Sequence, residues 1–258
     1  KFKQENYDFW LERFKKNSSK KVCSNDIGLA ELETQQILSK IADHKSVLEI
    51  GCGNGLLYEE LRKSYKLSKF VGIDFIDELI KDCASKKIDK NDIFIQLDMT
   101  EVAQNTFNSK FDFVISKRSI QNVLDHNLQM EAIDNFGYFL NDDGLMILVE
   151  SSNDALQNIN LEREKYGLQT INVPFHNLFF EDELILNYDF KNVKLKSIDP
   201  FASDFYFITR IIYARYAREY LQEDPHYDHP LQKIALTMMG KQITTIFSQI
   251  KCYIFEKV

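Results

Sequence analysis

One five-residue turn constrains the fold of this chain more than any other feature. The apolar run from Ser46 to Ile50 predicts a short buried strand, and the segment after Gly55 has the pattern of a helix. Between them the sequence reads Gly51-Cys52-Gly53-Asn54-Gly55. Glycines let the backbone turn sharply and approach a ligand without Cβ obstruction, while the next helix presents free N–H groups. This order therefore predicts a ligand-binding turn within an α/β fold.

Strands and helices alternate along the first 151 residues. Further strands are predicted at 69–75, 93–98, 111–116 and 145–151, with amphipathic helices between most of them. These strands are nearly continuous apolar segments, which are typical of a parallel sheet that is covered by helices on both faces. The sequence thus predicts an α/β fold with a doubly wound, Rossmann-like, mostly parallel sheet.

The remaining segments extend this core at both ends. Two helices are expected before the sheet, and the pattern changes after Ser151 to a helix, an extended loop, a strand and a long helix rich in Tyr and Arg. The alternation at the end of the chain predicts a last strand. We expect a single domain over 1–258, which comprises an N-terminal helical cap (1–45), a cofactor-binding core (46–151), an acceptor-binding loop and helical insertion (152–250) and the last strand (251–258).

Acidic residues end the first three predicted strands. Leu56 stands where the dinucleotide fingerprint needs its third glycine, which disfavours a nicotinamide or flavin cofactor. Asp74 ends the second strand, where a carboxylate can accept both hydroxyl protons of a ribose. Asp98 ends the third strand and is placed to accept from the exocyclic amine of an adenine. With Glu49, these acids match the recognition of an adenosine.

Four segments, VLEIGCGNG, VGIDF, QLDMT and FDFVIS, resemble the successive cofactor motifs of class I S-adenosylmethionine-dependent methyltransferases. The resemblance covers about residues 29–151 and implies the seven-stranded fold of that family, with S-adenosyl-L-homocysteine as product. It implies that Glu49 lies near the amino-acid end of the cofactor, that Asp74 binds the ribose, and that Asp98 and the Met99 backbone frame the adenine. The predicted cofactor-binding residues are Glu49, Gly51, Cys52, Gly53, Asn54, Gly55, Asp74, Phe75, Asp98, Met99 and Ser116.

Composition narrows the class of partner and the compartment. The net charge of −7 means that a phosphate backbone would be repelled on average, so nucleic acid is disfavoured. The four cysteines form no C-x-x-C pair and suggest neither a zinc site nor a disulfide framework, which fits a reducing cytoplasm. No apolar run is long enough to span a bilayer. We therefore expect a soluble cytoplasmic protein without a metal.

The residues at the end of the fourth strand disfavour several methyltransferase subclasses. The sequence Ile115-Ser116-Lys117-Arg118 has no Asn/Asp-Pro-Pro-aromatic motif for base methylation and no Pro-Cys nucleophile. A small-molecule, nucleotide-sugar or glycan acceptor remains. The stretches SKRSIQNVLD and LEREKYGLQTINVPFHNLFF also resemble methyltransferases of bacterial capsule and O-antigen loci, which implies O-methylation of a sugar or phosphoramidate group. The alternatives are an RNA methyltransferase and a non-catalytic scaffold with the same fold.

Candidate acceptor residues lie mostly beyond the glycine turn. Arg118 and Asn122 are four residues apart, so one helical turn would aim both at the transferred methyl group, although a capping role predicts the same spacing. His176 is the best general base among the five histidines, or a structural histidine. The predicted catalytic residues are His176, Glu150 and Arg118, and the predicted acceptor-binding residues are Asn122, Arg163, Asn177 and Tyr206. A lid formed by the N-terminal helix with Trp10 is a further hypothesis.

Overall fold

A seven-stranded sheet organises the part of the chain that the computed structural model describes, which is residues 2–17, 21–238 and 248–258. The strand order is β3-β2-β1-β4-β5-β7-β6. Strands β1 to β5 pair in parallel, and β7 runs antiparallel between β5 and β6. This arrangement confirms the predicted Rossmann-like methyltransferase fold. The strands are β1 (Ser46–Ile50), β2 (Lys69–Asp74), β3 (Ile93–Gln96), β4 (Phe111–Lys117), β5 (Leu140–Ser151), β6 (Val193–Pro200) and β7 (Ile250–Lys257).

Helices cover both faces of the sheet. The larger core packs α2, α3 and the helices before β7 on one face, and the second core packs α5 and α7 on the other. The α-helices are α1 (Phe2–Lys16), α2 (Ile27–Leu38), α3 (Leu56–Ser64), α4 (Asp77–Ser85), α5 (His126–Gly137), α6 (Asn153–Lys165), α7 (Asp182–Asn187), α8 (Ser203–Phe207), α9 (Tyr213–Tyr216) and α10 (Pro230–Thr237).

Strand β1 lies in the interior of the sheet, between β2 and β4, and is buried on both faces. Its side chains alternate, so that Val47 belongs to the larger core and Leu48 and Ile50 belong to the second. Neighbouring β2 and β4 lead the chain in opposite directions from β1, which makes this the switch point of the sheet. Ligands of open α/β sheets bind outside the carboxyl ends of the strands at such a point.

Two predicted strand boundaries were wrong for local reasons. Strand β5 begins at Leu140 rather than 145, because Leu140 already pairs with Phe111, and the pairing register shifts between Phe111 and Phe113. Helix α5 begins at His126, where the Asp125 carboxylate caps it by accepting from the N–H groups of residues 127 and 128. Strand β3 ends at Gln96 rather than 98, and Asp98 instead caps a short 3₁₀ turn.

The segment between β6 and β7 is mostly helical where it is described. Its long helix runs from 203 to 221 and contains two π-helical stretches, Ile208–Ile212 and Ala217–Leu221. Residues 239–247 of the predicted insertion lie outside the described residues. The short helix α7 was not predicted from the sequence. Across the described ranges, every helix is too short or too polar to cross a membrane.

Candidate active site

The glycine turn joins β1 to α3 in a conformation that only small residues tolerate. Gly51, Gly53 and Gly55 have positive φ angles of 67°, 54° and 79°. A Cβ added to Gly51 would lie 1.6 Å from the Ser119 hydroxyl oxygen, and one added to Gly53 would lie 2.7 Å from the Cys23 sulfur. Glycine is therefore required at positions 51 and 53 by space as well as by backbone conformation.

A cavity of about 480 Å³ opens above the turn, at the carboxyl ends of β1, β2 and β4. The structure brings most of the predicted cofactor-binding residues together around this cavity, here called the cofactor cavity. Gly55 and Ser116 do not line it. Those that line it are Glu49, Gly51, Cys52, Gly53, Asn54, Asp74, Phe75, Asp98 and Met99, together with the predicted acceptor residues Arg118 and Asn122.

Two buried carboxyls face the cofactor cavity. Asp74 accepts from the Gly53 N–H at 2.9 Å and from the Ile76 N–H at 3.0 Å, which fixes its orientation. Burial raises the pKa of Asp74 to about 6. Burial also raises the pKa of Glu49 to about 8, against the opposing charge of Lys117. Within the described part of the chain, the Glu49 Oε2 atom has no hydrogen-bond partner, so it is available to a ligand.

Asp98 also lines this cavity, and its carboxylate has partners within the protein. Its carboxylate accepts from the Thr100 N–H at 2.8 Å and pairs with the Lys3 ammonium at 2.6 Å. Partial burial acts to raise the pKa of Asp98, but the hydrogen bonds from Lys3 and Thr100 hold it below its usual value. Asp98 is therefore ionised and oriented before any ligand binds.

Helix α1 forms part of the wall of the cofactor cavity. Besides the contact of Lys3 with Asp98, the Asn6 amide donates to the carbonyl oxygens of Asn122 at 2.8 Å and His176 at 3.3 Å. Trp10 also lines the cavity. Lys3 and Asn6 could not be identified from the sequence, because nothing in it shows which strand ends the first helix will contact.

Two predicted site residues are placed away from the cavity. Glu150 is fully buried and accepts from the Ser116 hydroxyl at 2.6 Å and from the N–H groups of Ser119 and Ile120, both at 3.1 Å. Its carboxylate therefore holds the turn that follows β4. The side chains of Glu150 and Ser116 form hydrogen bonds within this turn, and neither residue lines the cavity. This geometry does not support the predicted catalytic role of Glu150 or the predicted cofactor contact of Ser116.

A second cavity of about 440 Å³ adjoins the first. The two cavities share lining residues, namely Trp10, Cys23, Ser24 and Arg118. This second one, here called the outer cavity, is formed by α1, the loop before α7 and the long helix of the insertion. The predicted residues His176, Asn177, Arg163 and Tyr206 all line it. The structure therefore places these four residues apart from the cofactor residues but next to them, whereas Asn122 lines the cofactor cavity and Arg118 lines both.

His176 presents a neutral ring to the outer cavity. It stacks on Phe9 with 4.0 Å between the ring centroids. Burial, together with Arg13 and Arg118, lowers the pKa of His176 to about 4, so the imidazole is uncharged near neutral pH. Among the described residues, its Nδ1 atom has no hydrogen-bond partner. A neutral ring with an unused nitrogen can accept a proton from a hydroxyl.

Arg118 and Asn122 do not project from one helical turn as predicted. Arg118 has a positive φ of 52° and its guanidinium pairs with the fully buried Glu33 at 3.3 Å. The Asn122 amide donates back to the Arg118 carbonyl oxygen at 3.0 Å and so closes the turn. Asn122 thus has the capping role that the same spacing allows, while Arg118 stands between the two cavities.

The fold and site define a class of protein. The arrangement of a Rossmann-like methyltransferase is present: a seven-stranded sheet with an antiparallel β7, a glycine turn after β1, and acidic residues at the carboxyl ends of β1, β2 and β3. A family described as "Methyltransferase domain" matches residues 41–177. The chain belongs to this family and is a methyltransferase. No curated protein sequence matches it.

Solved structures with this fold are distant in sequence. A chain from the complex between the Haloferax volcanii Trm112 methyltransferase activator and a methyltransferase has a TM-score of 0.60 at 13% identity, with 98% of this chain and 96% of that chain covered. A TehB-like SAM-dependent methyltransferase from Corynebacterium glutamicum has a TM-score of 0.52 at 14% identity, with 88% of this chain and 87% of that chain covered. A third structure is phosphoethanolamine N-methyltransferase 1 from Haemonchus contortus in complex with phosphoethanolamine and S-adenosylhomocysteine. Its TM-score is 0.60 at 17% identity, with 100% of this chain and 49% of that chain covered.

Proposed function

We propose that this protein transfers a methyl group from S-adenosyl-L-methionine to a small-molecule acceptor held in the outer cavity. The observation that carries the proposal is the contact between the two cavities at Trp10, Cys23, Ser24 and Arg118. A methyl donor in one cavity and a nucleophile in the other would meet at this boundary. In-line displacement requires this kind of close, oriented approach.

The residues of the cofactor cavity fit the proposed methyl donor. Asp74 is oriented to accept from ribose hydroxyls, the free oxygen of Glu49 suits an ammonium group, and ionised Asp98 suits an adenine amine. When bound, S-adenosylmethionine supplies a methyl group on a positively charged sulfur, which is already activated toward displacement. The protein's part is then to position the acceptor and, for a hydroxyl, to remove its proton.

A calorimetric titration with S-adenosylhomocysteine tests the cofactor assignment. We expect binding in the micromolar range, and no binding of NAD under the same conditions, since Leu56 replaces the third glycine of a dinucleotide turn. Methyl transfer from labelled donor to a panel of sugars, nucleotide-sugars and phosphorylated small molecules would then identify the acceptor. Absence of S-adenosylhomocysteine binding to folded protein would contradict the proposal and favour the scaffold alternative.

The affinity for S-adenosylhomocysteine is expected to rise with pH between about 5 and 8. In the free protein, burial raises the pKa of Asp74 to about 6 and that of Glu49 to about 8. Both must be ionised to accept from the ligand, so binding releases protons and weakens as the pH falls through these values. Titrations across this range, in buffers of different ionisation enthalpy, measure both effects. An affinity that does not change with pH would contradict this role for the two carboxyls.

A narrower hypothesis concerns the acceptor and its proton. We propose that the acceptor is a hydroxyl compound, such as a sugar or a phosphoramidate-bearing unit of a bacterial surface polysaccharide, and that His176 accepts its proton. Two observations support this role: His176 lies on the wall of the outer cavity, and its Nδ1 atom has no hydrogen-bond partner among the described residues. Most of the residues that line the outer cavity come from 152–250, the segment proposed to bind the acceptor.

Replacing His176 with glutamine is expected to lower the turnover rate on the identified acceptor by about 100-fold, the usual contribution of a general base. Binding of S-adenosylhomocysteine should not change, because His176 lines the outer cavity and not the cofactor cavity. His126→Gln, which alters a histidine at the start of α5, is the matched control. Equal turnover by the His176 variant and the unmodified enzyme would show that no base is needed there.

A further inference from the structure

Five arginines from separate segments line the outer cavity. They are Arg13 on α1, Arg118 after β4, Arg163 on α6, and Arg210 and Arg218 on the long helix of the insertion. The chain as a whole carries a net charge of −7, yet Asp26 is the sole carboxylate among the described residues that line this cavity. Clustering of this kind against the overall charge is typical of a site for an anion.

Only some of these arginines are neutralised by buried partners. Arg210 pairs with Asp26, and Arg118 pairs with the buried Glu33. Arg218 pairs at 3.0 Å with Asp224, whose side chain is 88% exposed. An ion pair with so exposed a carboxylate contributes little and is readily exchanged for another anion.

The other two arginines donate to uncharged acceptors. Arg13 donates to the carbonyl oxygens of Val22 and Lys21, both at 2.8 Å. Arg163 donates to the carbonyl oxygens of Gln169, at 2.7 Å, and Arg210. Burial lowers the pKa of Arg163, and the nearby charges of Arg210 and Arg218 lower it further. Among the described residues, Arg163 therefore has no carboxylate partner and lies near two further guanidiniums.

We infer that the outer cavity binds the methyl acceptor through a phosphate group. This inference rests on the proposed function, because it assigns the chemistry of the acceptor that the same cavity holds. Among the described residues, Arg13 and Arg163 have no carboxylate partner and Arg218 has an exposed one, and such a group of guanidiniums suits a dianion better than a single carboxylate. Guanidinium groups bind phosphate oxygens through paired N–H donors. The phosphate anchors the molecule, and the group to be methylated then lies toward Arg118 and the cofactor cavity.

Inorganic phosphate is the probe, and it is titrated into the protein saturated with S-adenosylhomocysteine. Titration at low ionic strength is expected to show phosphate binding at least about tenfold tighter than acetate, because a dianion meets more of the unneutralised charge. Arg218→Gln should weaken phosphate binding by about tenfold. This variant is chosen because Arg218 is partly exposed and its partner lies in solvent, so folding should be retained. A thermal melt of each variant checks this.

Arg215→Gln is the matched control on the same helix. Arg215 pairs with Glu219 on the helix surface and does not line the outer cavity, so its variant should bind phosphate like the unmodified protein. No phosphate binding, or equal weakening in both arginine variants, would overturn the inference, the latter by showing an adventitious ion only. Either result leaves the proposed function standing if S-adenosylhomocysteine binds, whereas failure of that first titration removes the proposed function itself.

Discussion

Asp74→Asn is expected to weaken S-adenosylhomocysteine binding by about 100-fold or more. The carboxylate is held by the Gly53 and Ile76 N–H groups, so its free lone pairs face the cofactor cavity in a fixed orientation. Two hydrogen bonds from ribose hydroxyls to a buried charge are worth about 1.5–3 kcal/mol each. An amide presents one acceptor oxygen and two unwanted donors, so it replaces these bonds poorly. Calorimetric titration measures the change.

Asp77→Asn provides the matched control for this variant. Asp77 starts helix α4 three residues later, and its carboxylate is 38% exposed and pairs with Lys81 at the surface. The same chemical change there should leave the affinity within about twofold, because exposed ion pairs contribute little. If both variants bound S-adenosylhomocysteine as tightly as the unmodified protein, Asp74 would have no part in cofactor recognition.

Gly51→Ala is expected to destabilise the protein by about 3 kcal/mol and to abolish cofactor binding. An alanine at a φ of 67° costs about 1–2 kcal/mol by itself. Its Cβ would in addition lie 1.6 Å from the Ser119 hydroxyl oxygen and 2.4 Å from the Ser119 Cβ. Ser119 has little room to retreat, because its N–H donates to the buried Glu150. Overpacking of this kind costs about 1–3 kcal/mol. Thermal unfolding should show a midpoint lower by roughly 10 °C.

Gly167→Ala distinguishes the backbone cost of alanine at a positive φ from the cost of the steric clash with Ser119. Gly167 has a φ of 65°, close to that of Gly51, but a Cβ added there would meet nothing within 4 Å. Its variant should therefore lose only the backbone contribution of about 1–2 kcal/mol. Similar melting midpoints for the two variants would mean that Ser119 moves aside freely and that the turn is less constrained than the contacts indicate.

The cofactor cavity could be predicted largely from the sequence because its residues are local to strand ends. Glu49, Asp74 and Asp98 each follow an apolar run, and parallel strands bring their carboxyl ends to one edge of the sheet. The turn needed only its own glycines to be recognised. The same local reasoning did not show where the Glu150 side chain lies: Glu150 is also near the end of a strand, but its buried carboxylate stabilises the turn that carries Ser119.

The outer cavity could be predicted only in part. Arg163, His176 and Tyr206 were candidates by residue type, but nothing in their spacing showed that they share a wall with Arg13 of the first helix. That neighbourhood depends on how α1 and the insertion fold back over the sheet, through contacts between residues more than 100 positions apart, such as Asn6 with Asn122 and His176.

The sequence by itself determined the order of strands and helices, the glycine turn and the acids of the cofactor site, because these depend on side-chain periodicity and on backbone conformations that only glycine adopts readily. Only the tertiary structure decided which polar side chains form hydrogen bonds within the protein, as Glu150 does. It likewise decided which keep an atom without a partner among the described residues, as the Oε2 atom of Glu49 does. It also decided that five arginines of an acidic chain surround one cavity. The physical reason is that burial, charge pairing and the distances between segments exist only once the chain is packed.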